Sequence, residues 1–258
     1  NCEKWPPKFS ILVNKGFDVV MNASESVQNP MERLRPTLQC NPLLPEAYFS
    51  SLRGIIFDCD GVLIDSKAAN LAFYNRLRDR VGLPPMTPDQ EDYVHSHTVA
   101  QSLAHILPPE ALAEVNTLRG HIKYKDLVPY ITIQPDLLPL LEMLAARGIR
   151  LGVNTNRTDT MGLILQMFEL ERFFFPVITS SQVSWSKPHP ESMHRILQTW
   201  HMGPEEVVYI GDTDVDARVA AATGVAFWAY QDPALPADMY VPDYSCLRQT
   251  LALKLPPR

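Results

Sequence analysis

The chain has 258 residues, enough for one large domain or two unequal ones, and 46% apolar with 20% charged content excludes disorder throughout. A net charge of −6 with no basic cluster argues against nucleic acid as a partner, and the absence of any run of about 18 apolar residues argues against a membrane span. The four cysteines (Cys2, Cys40, Cys59 and Cys246) show neither CxxC nor Cys/His ligand spacing, so structural zinc and a disulfide framework are not expected and a reducing cytoplasm is.

Residues 1–52 differ from the rest. The chain opens with Asn rather than Met, as a processed or truncated product would, and the stretch holds no signal-peptide core. Lys8–Val13 and Phe17–Asn22 flank Asn14-Lys15-Gly16 and predict a hairpin, while Pro30, Pro36, Pro42 and Pro45 oppose a long helix. From Arg53 a β/α alternation begins. Short apolar runs at 54–57, 150–153, 177–179, 207–210 and 225–228 suit strands buried on both faces of a parallel sheet.

Between the first two of these runs the pattern is helical. Lys67–Val81, stopped by Gly82, then Asp89–Leu107 and Glu110–Tyr124, separated by Pro108-Pro109, predict three helices and no strand. Further on, Leu137, Leu140, Leu141 and Leu144 repeat at i, i+3, i+4 and i+7 before Gly148. Met161 to Phe168 and Met193 to Trp200 repeat the pattern, with Pro190 near a helix start. The expected fold is α/β: a doubly wound, mostly parallel, Rossmann-like sheet with a small all-helical cap inserted after the first core strand. The expected boundaries are 1–52 for an N-terminal extension, 53–65 with 132–258 for the core, and 66–131 for the cap.

Ligands of open parallel sheets bind beyond the carboxyl ends of the strands. Polar groups follow four of the runs: Asp58-Cys59-Asp60-Gly61-Val62, then Asn154-Thr155-Asn156-Arg157, then Lys187-Pro188-His189-Pro190, then Gly211-Asp212-Thr213-Asp214-Val215-Asp216. Parallel strands would gather Asp58, Asp60, Asp212 and Asp216 at one edge. Carboxylates packed together repel and call for a cation, and oxygen ligands without Cys or His suit Mg2+. Lys187 and the Thr155 hydroxyl would complete a receptor for a phosphoryl group. A single Asp after a strand is more simply a helix cap, and Asp214 best fits that bland role.

The order Asp58-x-Asp60-Gly61-Val62, Thr155-Asn156, Lys187-Pro188-x-Pro190 and Gly211-Asp212-x-x-x-Asp216 resembles the haloacid dehalogenase-like phosphatase superfamily. The stretch Phe57 to Ser66 resembles the branch of phosphoglycolate phosphatase and β-phosphoglucomutase. The resemblance implies Asp58 as nucleophile and Asp60 as acid and base. It implies Mg2+ held by Asp58, the Asp60 carbonyl and Asp212, with Asp216 supporting the metal or Lys187. Thr155, Lys187, Asn156 and Gly61 would surround the phosphoryl group. The implied activity is hydrolysis of a small phosphorylated metabolite through an aspartyl-phosphate, by a monomer or homodimer in the cytoplasm. A phosphosugar mutase or a non-catalytic binding relative are the alternatives. Cys59 should point into the core. In the cap, His95, His97 and Thr98 are candidates to touch substrate, against a plain solvated helix start. Phe173-Phe174-Phe175 reads as core before the Val177 strand, with an exposed interface patch as the alternative.

Overall fold

The computed structural model describes residues 39–40, 46–96, 99–158 and 160–256. The hairpin expected at 8–22, and His97 and Thr98, lie outside the described residues. In chain order, β1 (Gln39–Cys40), α1 (Glu46–Ser51), β2 (Gly54–Phe57) and β3 (Ile64–Asp65) precede four helices: α2 (Lys67–Arg80), α3 (Pro88–Ser96), α4 (Val99–Ile106) and α5 (Pro109–Gly120). After β4 (Thr132–Ile133) come α6 (Leu137–Ala146), β5 (Arg150–Asn154), α7 (Thr160–Met167), β6 (Phe174–Ile178) and α8 (Glu191–Trp200). The chain ends with β7 (Val207–Gly211), α9 (Asp214–Thr223), β8 (Ala226–Tyr230), β9 (Met239–Val241) and α10 (Tyr244–Lys254).

The large sheet has the order β1-β9-β8-β7-β2-β5-β6. All neighbours run parallel except β1 against β9. The chain winds outward from β2 through β5 to β6, then returns to β7 on the other side of β2. That reversal opens a crevice at the carboxyl ends of β2, β5 and β7, where such sheets bind ligands.

Strand side chains alternate between the two faces. Ile55, Phe57, Val208 and Ile210 join Leu140, Leu144, Ile164 and Leu247 of α6, α7 and α10 in one core. Ile56, Val207 and Tyr209 pack on Met193, Trp200 and Val219 of α8 and α9 in another. Leu77, Leu103 and Ile106 belong to a third cluster, confined to the cap helices. The two-pair ladder β3–β4, with Ile64 opposite Ile133, joins cap to core. Among the described residues no helix is long and apolar enough to cross a membrane.

Several expected bounds shift. The strand placed at 177–179 runs from Phe174 to Ile178. Its alternation buries Phe174 and leaves Phe175 73% exposed, so the three phenylalanines are not uniformly core. The single helix expected at 89–107 is two, α3 and α4, and the one at 110–124 ends at Gly120. The strand-free stretch expected before residue 136 holds β3 and β4. β9, β1 and α1 have no counterpart in the predicted elements.

Trp200 shows how α8 is seated. Its ring lies over Gly54 and Gly152, where an added Cβ would come within 2.5 and 2.9 Å. Its Nε1 donates to the Phe175 carbonyl at 2.8 Å. Trp200→Ala removes this packing and is expected to cost about 3–5 kcal/mol of unfolding free energy. Urea unfolding checks this; a loss under about 1 kcal/mol would show that the contact is not structural.

Candidate functional site

Each strand end delivers one part of the site. Asp58 follows β2 and its N–H donates to the Ile210 carbonyl of β7 at 2.9 Å, continuing the ladder by one residue. The chain then turns back on itself, with Leu63 and Ile64 N–H donating to the Cys59 carbonyl. Cys59 is buried in the core, as its alternation requires. Gly61 lies in the left-handed region at φ +75°, and a Cβ there would fall 1.9 Å from Asp212 Oδ2. The glycine therefore lets the two acidic loops meet.

Lys187 is the hub. Its buried ammonium donates to Asp58 Oδ1 at 2.7 Å, Asp216 Oδ1 at 2.7 Å and the Tyr209 hydroxyl at 2.8 Å. All three protons are thereby used. The Asn156 side chain grips the Lys187 backbone from both ends, Nδ2 donating to its carbonyl at 3.1 Å and Oδ1 accepting from its N–H at 3.0 Å. Asn156 lines the smaller cavity described below, as its expected place at the phosphoryl group requires, while its side-chain amide holds Lys187. Thr155 is buried beside it, and its Oγ1 accepts from the Arg157 N–H at 3.1 Å, leaving its own proton to donate.

Thr213, not Asp214, caps α9, with Asp216 at the third helical position completing a capping box. Asp216 Oδ1 takes Lys187, while Oδ2 accepts from the Thr213 N–H and hydroxyl. Asp214 pairs with Arg218 one turn on, exposed to solvent.

One oxygen each from Asp58, Asp212 and Asp216 lie within 4.8 Å of one another. Asp212 Oδ1 is buried and has no hydrogen-bond partner. Three clustered carboxylates, one of them with an oxygen left unpaired among the described residues, fit a hard cation. Burial, reinforced by the Asp216 charge, pushes the Asp212 carboxyl up to about 7. Burial likewise lifts Asp58 to about 7, outweighing the Lys187 charge. Burial alone would lower Lys187, but Asp58 and Asp216 hold its pKa above the usual lysine value, so it stays charged.

Asp60 takes a different partner. Arg157 Nε donates to its Oδ2 at 2.7 Å and Nη2 to its Oδ1 at 2.6 Å, and the Ser66 hydroxyl adds a third bond to Oδ1 at 2.6 Å. Asp58 and Asp60 line two adjoining cavities. One, of about 350 Å³, also touches Thr155, Arg157 and Lys187. The other, of about 960 Å³, opens toward Lys67 and Asn70 of α2, Gln134 and Gln231. Tyr209, Arg157 and Gln134 carry no motif, and Ser66 closes the Phe57 to Ser66 stretch without a role assigned to it. Only the polar tip of Tyr209 in an apolar strand, and the place of Arg157 beside Thr155-Asn156, gave any signal.

Comparison with known proteins agrees with this geometry. Residues 55–230 match the family model described as haloacid dehalogenase-like hydrolase. A phosphoglycolate phosphatase of Aquifex aeolicus is 28% identical over 211 residues, covering 79% of this chain and 96% of that protein. The pyrophosphatase PpaX of Oceanobacillus iheyensis is 28% identical over 200 residues, covering 70% and 86%. The crystal structure of a HAD-superfamily hydrolase, subfamily IA, variant 1, from Geobacter sulfurreducens superposes with a TM-score of 0.73 at 35% identity, covering 78% and 97%.

Protons and a cation compete for Asp58 and Asp212. Both carboxyls are raised from 3.8 to about 7, so ionising them on the way up through that window destabilises the cation-free fold. A cation removes that penalty, and it gains most where the carboxyls are already ionised. A divalent cation should therefore raise Tm more at about pH 8 than at about pH 5. Equal gains in thermal melts at both values would show that the cation binds elsewhere.

Proposed function

The chain belongs to the haloacid dehalogenase-like hydrolase family, in its phosphatase branch, and we propose that it is a Mg2+-dependent phosphohydrolase of small phosphorylated metabolites working through an aspartyl-phosphate. One observation carries the reading. Asp58, held at 2.7 Å by Lys187, shares both cavities with Asp60 and has a carboxylate oxygen within 4.8 Å of one from Asp212 and one from Asp216.

Asp58 Oδ2 is the attacking oxygen, since Oδ1 is taken by Lys187. The smaller cavity receives the phosphoryl group, with the Lys187 charge and the Thr155 proton directed at its oxygens. Asp60 protonates the departing oxygen and then takes a proton from the water that cleaves the aspartyl-phosphate. Asp58 and Asp212, with the Asp60 carbonyl, would hold Mg2+, while Asp216 anchors Lys187. Bound there, Mg2+ supplies positive charge that lets an anionic carboxylate approach a phosphoryl dianion. Four carboxylates against Lys187 and Arg157 leave two negative charges, which one divalent ion neutralises.

The larger cavity takes the leaving group. Its wall is shared between core and cap, so the cap helices choose among phosphate esters. The names of the phosphoglycolate and pyrophosphate relatives support a small, anionic leaving group. Residues 66–131 serve as this cap and 53–65 with 132–258 as the catalytic core, to whose sheet and hydrophobic core β1, α1 and the residue after it add Gln39–Cys40, Phe49 and Leu52.

Asp58→Asn keeps the volume and removes the nucleophile. We expect turnover of p-nitrophenyl phosphate to fall by about 10⁴-fold or more with the circular dichroism spectrum unchanged. EDTA should abolish activity and Mg2+ restore it. Activity that survives both changes would overturn the assignment.

A further inference from the structure

Asp60 is more tightly held than a general acid needs to be for stability alone. Its side chain is 43% exposed, yet Arg157, itself only 13% exposed, clasps both its oxygens. We propose that Arg157 is the positioning residue for the Asp60 carboxyl, fixing which of its oxygens exchanges the proton. This rests on the reading of Asp60 as acid and base.

The hydrogen-bond count identifies the oxygen. Oδ1 accepts from Ser66 and from Arg157 Nη2, which fills its two lone pairs. Oδ2 accepts from Arg157 Nε and keeps one lone pair to carry the proton. A planar fork against a planar carboxylate allows one mutual orientation, where a lysine would allow many. The spare lone pair therefore has a fixed direction.

The fork is mounted rigidly at both ends. The Arg157 N–H donates to Thr155 Oγ1 at 3.1 Å, and its carbonyl accepts from Ser180 N–H at 2.9 Å and from the Ser180 hydroxyl at 3.1 Å. At the far end, Nη1 donates to the Tyr124 hydroxyl at 2.6 Å, and the guanidinium lies 5.6 Å from the Tyr124 ring centre. Tyr124 stands in a 3-10 turn on the segment that runs from α5 of the cap back to β4. The loop that carries Thr155, the acid–base carboxylate and the return segment of the cap are thus bolted together through one side chain. Without it, Asp60 would keep the single Ser66 bond to Oδ1, which leaves its carboxyl free to turn about that contact and away from Asp58 and Asp212.

The test is the dependence of kcat/KM on leaving group across aryl phosphates from p-nitrophenyl to phenyl, measured with Mg2+ on the full chain. A well-placed acid flattens that dependence, because it supplies the proton that a poor leaving group needs. Asp60→Asn should steepen it. Arg157→Ala should steepen it as well, losing about 10²-fold on phenyl phosphate and only a few-fold on p-nitrophenyl phosphate. The double variant should be no steeper than Asp60→Asn alone, and free guanidinium should partly restore Arg157→Ala on phenyl phosphate but not the double variant. Should Arg157→Ala fold poorly, Arg157→Lys carries the same expectation, since it keeps the charge and loses the fork. A uniform loss on every ester, with the wild-type slope retained, would overturn the positioning role. A wild-type slope in Asp60→Asn would overturn the reading of Asp60 itself, and the role of Arg157 with it.

Discussion

The Lys187 ammonium sits between Asp58 and Asp216, 2.7 Å from each, with almost no access to water. A buried ammonium without partners would lose its proton, and buried carboxylates without a cation would gain one. Much of the local structure exists to keep these charges in place. Tyr209 takes the third ammonium proton from below, and Asn156 clamps the lysine backbone. The α9 capping box fixes Asp216 through its other oxygen. Gly211 leaves room for Asp216, whose Cβ would be 2.4 Å from an added methyl. One lysine offsets only part of the acidity, so Asp58 and Asp212 stay raised to about 7. That imbalance suits the divalent cation of the proposed reading.

The topology explains why these groups meet. β2 lies between β5 and β7, so the loops after all three open on the same edge, and Lys187 enters through the long connection from β6 to α8. On the proposed reading, the sheet residues bind the phosphoryl group but offer little to distinguish what is attached to it. The cap helices contribute Lys67 and Asn70 to the larger cavity, and they join the core through strands of only two residues each. Chemistry and selection are thus placed on separate layers, with Asp58 and Asp60 at the boundary.

The parts of this arrangement that depend on local pattern were legible in the sequence. Runs such as Gly54–Phe57 and Val207–Ile210 are apolar on both faces because the sheet is covered on both faces, and each is followed by its acidic loop. β9 was not legible, since Met239–Val241 is three residues between Asp238 and Pro242 and is defined by its neighbour β8. β3 and β4 pair across 68 intervening residues, from Ile64 to Ile133, with two residues apiece. The structure gathers Asp58, Asp60, Thr155, Lys187, Asp212 and Asp216, which the sequence offers in the segments that follow four of the strands. The clamp of the Asn156 amide on the Lys187 backbone has no signal in the sequence, because it is set by tertiary contact. Arg157, Ser66 and Tyr124 have meaning only once Asp60 is seen between them. Asp214 reads as the cap of α9 in the sequence because Asp is a good cap, and the geometry gives that place to Thr213.

The central claim is that Asp58 itself becomes phosphorylated. Acyl phosphates are reduced by borohydride, whereas a free carboxylate is not. Enzyme mixed with Mg2+ and excess phosphate ester, quenched with borohydride during turnover and digested, should yield a peptide in which residue 58 has the mass of homoserine. The modification should be absent without substrate and absent in Asp58→Asn. Reduction at another carboxylate, or none while turnover proceeds at a rate that should populate the intermediate, would contradict the account.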